Sequence, residues 1–176
     1  MNSATPIDEQ TATPVAAPRM LGLRAVLIGL ALIEIWLGLS DAPTLFADMS
    51  HIGSGIGSGL IKADLAAHPV LAVAAIAFAA LGYVRHAVIA LGTIIITAWL
   101  SDMPSVVSHG LEFKSAFNAV ETIARIIAFP LIAACAIAYA AHNEHLGRAT
   151  LLVAIPTLFS TLLLAGFAIG VMIYGF

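Results

Sequence analysis

Glu34 is the one polar side chain in "LIGLALIEIWLGL", residues 27–39. An ionised side chain at the centre of an apolar helix costs about 3 kcal/mol on insertion scales, so it calls for a partner. Arg125 sits in a second apolar stretch, at a depth matched to Glu34 when both are counted from the ends of their runs. Glu121 stands four residues before Arg125, on the same helical face. The spacing therefore predicts a buried cluster of Glu34, Glu121 and Arg125. Such a cluster has two uses: an ion pair that fixes helix packing, or a proton relay or anchor for a ligand's polar head. Two carboxylates against one guanidinium favour proton exchange at one of them.

The six histidines are a generous supply for a chain in which only 10% of residues are charged. With the N-terminus inside, they divide evenly between the two faces. His51, His68 and His109 fall outward with Asp41, Asp48, Asp64, Asp102 and Glu112. Imidazole with carboxylate suits zinc, copper, iron or manganese, so His51, His68, Asp102 and His109 form a candidate metal set. The spacing matches no metal signature, and solvated loop histidines are the simpler account. His86, His142 and His145 fall inward. His142 and His145 in "AHNEHLGR" share a face if the helix continues through them, and His86 in another turn can approach. They are the candidate cofactor set, with haem as the group considered, although ligation at helix ends is unusual for b-type haem.

The glycine-rich "HIGSGIGSGLIKADL", residues 51–65, is neither a phosphate-binding loop nor a dinucleotide fingerprint: no GKS follows and no strand precedes it. Ile52, Ile56 and Leu60 repeat every four residues, which fits a shallow amphipathic or re-entrant segment, with a mobile loop as the alternative. Ser54 and Ser58 have no base to activate them. No catalytic residue is assigned, and the expectation leans away from an enzyme.

The elements that must position these residues are membrane helices. Of the 176 residues, 61% are hydrophobic. Mean hydropathy is +1.03, and the charged fraction is far below the roughly 25% of soluble domains. The fold class expected is an all-α polytopic helix bundle in a lipid bilayer, with spans near 20–39, 65–84, 87–101, 120–141 and 149–174. "GYVRH", residues 82–86, divides the apolar block 65–100 into two helices. A single bent helix or a re-entrant pair there, giving four spans, is the competitor. Arg19, Arg24, Arg85 and Arg148 fall on one side and Lys62, Lys114 and Arg125 on the other, which predicts a cytoplasmic N-terminus. Residues 1–19 are polar and lack the basic start and apolar core of a secretory signal; they are expected to be a disordered cytoplasmic tail.

Pro130 and Pro156 should kink their helices. Trp99 reads as an interfacial anchor, and Asp102, before Met-Pro, reads as a helix end. The single cysteine, Cys135, excludes an internal disulfide and reads as a small buried hydrophobe. Gly166 and Gly170 form a GxxxG, suited to internal packing or to another subunit. A net charge of -3 without a basic patch argues against nucleic acid. The arginine-led first helix and the basic turn between two short helices loosely resemble the layout of DoxX-type small membrane proteins. That likeness spans about half the chain, and no residue role follows from it.

Three functions fit. The leading expectation is a non-catalytic subunit or assembly factor packed against other membrane subunits or copies of itself. A small redox- or quinone-linked protein binding metal or haem is second. A minimal proton- or ion-coupled transporter using Glu34 is third. A bacterial inner membrane is the expected location.

Overall fold

The computed structural model describes residues 17–46, 55–111, 113, 115–143 and 145–175. All but the last three residues of the expected tail, and His51 with them, lie outside the described residues. Helix α1 spans Ala17–Leu45, α2 Ile56–Ala80, α3 Val84–His109, α4 Ala116–Ile123, α5 Phe129–Ala141 and α6 Leu146–Tyr174. A π-helical turn, Ala124–Ala128, joins α4 to α5 into one rod. The described residues contain no strand. Five helices are long and apolar enough to cross a membrane, α4 and α5 counting as one. The chain is an all-α bundle of membrane-spanning character, and the four-span alternative falls.

The division at "GYVRH" has a clear backbone cause. Gly82 adopts φ +87°, a left-handed conformation that ends α2 and turns the chain into α3. Arg24 braces this corner. Its Nε donates to the Ala79 carbonyl at 2.9 Å, and a terminal nitrogen donates to the Ala80 carbonyl. A guanidinium on the last carbonyls of α2 adds a donor to the Ala80 carbonyl, joins the Gly82 N–H on the Ala79 carbonyl, and complements the helix dipole.

Helix α3 is the hub, packing against α1, α2, α5 and α6. The core around it is rich in alanine: Ala31, Ala72, Ala75, Ala79, Ala87, Ala133, Ala136 and Ala140 are buried. Small residues let backbones approach, which is how helices gain packing energy when lipid removes the hydrophobic incentive. Gly92 marks the tightest crossing: a Cβ there would lie 2.7 Å from Ile137 Cγ1 of α5. Large apolar side chains such as Leu32, Val73, Leu131 and Leu151 point outward, as a bilayer requires.

Several expected boundaries move. The glycine-rich stretch from Ile56 onward is the first part of α2, neither a re-entrant segment nor a loop. Helix α3 does not end at Asp102; it runs through Pro104 to His109. Cys135 is exposed at the surface of the bundle. Gly166 and Gly170 meet nothing within 4 Å of a built Cβ, so they serve no internal crossing.

Pro130 has no N–H to give the carbonyl of Ile126, four residues earlier. The chain shifts to π geometry just before it, and Phe129 N–H bonds back to the Ala124 carbonyl. Trp99 supplies the missing donor, its indole Nε1 lying 3.0 Å from the Ile126 oxygen. Trp99 is thus a half-buried tie between α3 and the π turn.

Candidate functional site

The C-terminal halves of α1, α3 and α6 meet the N-terminal halves of α2 and the α4–α5 rod at one end of the bundle. They surround a cavity of about 990 Å³ whose lining includes seven ionisable side chains. Glu34, Leu37 and Asp41 come from α1, Asp64 and His68 from α2, Trp99, Ser101 and Asp102 from α3, Glu121 and Arg125 from the α4–α5 rod, and Thr157 and Ser160 from α6.

Glu34 is 6% exposed. One carboxylate oxygen lies 2.9 Å from His68 Nε2. The other accepts from the Thr157 hydroxyl at 2.5 Å. Thr157 itself is buried, and its hydroxyl also lies 3.3 Å from the Val153 carbonyl. Three helices therefore converge on one carboxyl group.

The local sequence explains the fit. Gly38 follows Glu34 by one turn on the same face of α1. A Cβ there would lie 3.0 Å from His68 Cδ2 and 3.4 Å from Pro69 Cδ, so any other residue would need the imidazole to give by a few tenths of an ångström. Asp64 precedes His68 by one turn of α2, and its Oδ2 meets the Ser101 hydroxyl at 3.3 Å.

Arg125 does not pair with Glu34. Its terminal nitrogen bonds both oxygens of Asp102, at 2.9 and 3.1 Å, and Glu121 lies 3.9 Å away. The Glu121–Arg125 half of the expected cluster forms, and Asp102 takes the place given to Glu34. Register is the reason. Helix α1 continues to Leu45, which sets Glu34 eleven positions from its end, roughly 16 Å deep at 1.5 Å per residue. His68 lies twelve positions into α2 and matches that depth. Arg125 and Asp102 lie nine and seven positions from their helix ends and meet nearer the mouth.

The expected metal set does not assemble. His68 is engaged by Glu34 and Asp102 by Arg125. His109 bonds the Ser108 hydroxyl at 2.8 Å and the Ser105 carbonyl at 3.3 Å. Among the described residues no three His, Cys, Asp or Glu side chains gather into a metal-binding group. The inner histidines also stay apart. His86 is exposed and packs between Phe78 and Tyr83, with ring centroids 5.4 and 5.8 Å away. The α5 helix ends at Ala141, so His142 and His145 flank a turn and share no helical face. His145 has φ 45° and meets the edge of Tyr139.

Thr157, Gly38 and Asp64 are the site residues that spacing alone does not single out. A smaller cavity of about 460 Å³ lies on the far side of Arg125, sharing Asp102, Glu121 and Arg125 with the larger one. The ion group is a wall between the two. No protein-family model, curated protein or solved structure matches the chain. The chemistry of this cavity is therefore the basis for a functional reading.

Proposed function

We propose that the protein is a small-solute carrier of a bacterial inner membrane, with Glu34 and His68 as the proton-exchanging pair at the base of its solute cavity. The observation that carries this reading is the position of Glu34: a buried carboxyl, bonded to an imidazole and a hydroxyl, at the deep end of a cavity of about 990 Å³. An ion pair serving only to fix packing needs no cavity beside it. Carboxyl and imidazole groups inside membrane bundles commonly form proton relays, and imidazole exchanges protons near neutral pH. With the N-terminus inside, as the arginines suggest, the cavity opens to the outer face.

Five helices leave little room for two rigid halves to rock about a site, so a carrier this small works best as an oligomer. Gly166, which also lines the cavity, and Gly170 leave α6 open to a neighbouring helix, which is compatible with that and equally with the second reading, a subunit of a larger membrane complex.

The test is transport into proteoliposomes under an imposed pH gradient, using a panel of small labelled amines and neutral solutes. Gradient-driven accumulation by the wild-type protein, lost in Glu34→Gln while its thermal unfolding profile is kept, is the expected result. Equal flux in Glu34→Gln would refute the proton role. No flux for any solute would favour the subunit reading.

A further inference from the structure

The lining of the larger cavity combines two features with one chemical meaning. Five carboxyl groups face a single guanidinium and a single imidazole. The guanidinium is already committed, since Arg125 binds both oxygens of Asp102 and has Glu121 beside it. The imidazole is committed to Glu34. Asp64 is left over. Its Oδ2 has only the Ser101 hydroxyl at 3.3 Å, and its Oδ1 is completely buried with no hydrogen-bond partner among the described residues. Oδ1 is itself closed off from the cavity, so the uncompensated charge of Asp64 is felt there through the carboxylate as a whole, and a cation in the cavity would offset it.

The other feature is the aromatic wall. Trp99, Phe117, Phe129, Phe159 and Phe167 line the same space. Aromatic faces attract cations, and they bind the apolar part of a ligand at the same time. An inorganic cation fits poorly, because it needs several oxygens converging on one point, and among the described residues no such group forms. A cavity this size holds a ligand of drug-like dimensions. An anion would find one guanidinium, already neutralised, among five carboxyls.

We infer that the cavity binds an amphiphilic organic cation, a protonated or quaternary amine bearing an apolar group, with Asp64 as the counter-charge and the aromatic side chains as the wall. The inference rests on reading the cavity as a solute site and names the class of solute it takes.

Three probes of similar size separate the possibilities: benzyltrimethylammonium, its neutral carbon isostere neopentylbenzene, and benzenesulfonate. Binding is measured by calorimetric titration of the full chain in detergent micelles, with partition into empty micelles subtracted. The expected result is at least tenfold tighter binding of the cation than of either other probe, with Asp64→Asn reducing that preference to less than threefold. Asp64→Asn keeps the shape and the Ser101 contact, and a matched thermal unfolding curve confirms its fold. Equal binding of cation and neutral isostere, or tighter binding of benzenesulfonate, would overturn the inference while leaving a solute cavity in place. So would a cation preference that Asp64→Asn leaves unchanged, since Asp64 is then not the counter-charge. If no probe binds, the inference falls. The solute-site reading falls with it if a Ser160→Cys variant in a Cys135→Ala background, lining the cavity, also fails to react with a small water-soluble thiol reagent.

Discussion

Replacing His68 by leucine should destabilise the protein more than replacing Glu34 by leucine. His68→Leu leaves the Glu34 carboxyl, 6% exposed, with the Thr157 hydroxyl alone. Removing one member of a buried charged pair costs about 3–5 kcal/mol, because the remaining carboxyl must either stay charged without its partner or take up a proton. Glu34→Leu is milder. The imidazole can turn neutral, its side chain is 17% exposed toward the cavity, and Thr157 keeps the Val153 carbonyl at 3.3 Å. The loss is then about 1–3 kcal/mol, that of one strong hydrogen bond. The double variant leaves no orphaned charge and should be more stable than His68→Leu alone. Unfolding of all four proteins in micelles, followed by circular dichroism against denaturing detergent, gives the coupling directly. Additive losses, within about 0.5 kcal/mol, would refute a coupled pair. A Glu34→Leu protein less stable than His68→Leu would refute the assignment of the orphaned charge.

Other consequences are independent of that cycle. Gly38→Ala should push the imidazole off Glu34 and cost about 1–3 kcal/mol, read as a lowered unfolding midpoint; in the His68→Ala background the same change should cost far less. Trp99→Phe removes the donor to the Ile126 carbonyl and should cost about 1–3 kcal/mol, while in a Pro130→Ala background, where residue 130 regains its N–H, the penalty should shrink. Arg125→Gln breaks a half-exposed pair and should cost less than about 1 kcal/mol, visible as a near-unchanged midpoint. Reporter fusions at Glu144 and after Phe176 should report opposite sides of the membrane, since one membrane-crossing helix separates them.

How much of this was legible in the sequence depends on the residue. Glu34 announces itself, because a lone carboxylate in an apolar run must be enclosed. The five-helix count follows from the glycine and basic residues of "GYVRH". The partner of Glu34 was not legible for a physical reason. Spans 20–39 and 87–101 were cut where polar residues begin, at Ser40–Asp41 and Ser101–Asp102. Those residues line a cavity, and the helices continue past them, so every depth measured from the cut shifts by about two turns. Thr157 is an ordinary threonine in an apolar helix, and only the approach of α6 to α1 gives it a role. Gly38 carried a faint signal, one turn from Glu34 on the same face. The link from Trp99 to Pro130 joins two separate helices, and no local pattern encodes it.

The account rests on a cavity open to water down to the Glu34–His68 pair and sealed beyond it. Site-directed labelling in a Cys135→Ala background measures this directly, with a membrane-impermeant thiol reagent added to either side of sealed vesicles. Ala98→Cys and Ser160→Cys, both lining the cavity, should react from one side only, and the same side for both. Leu27→Cys and Val153→Cys, both fully buried below the pair, should react from neither. Protection of Ala98→Cys and Ser160→Cys from both sides, in protein that folds normally, would contradict the account.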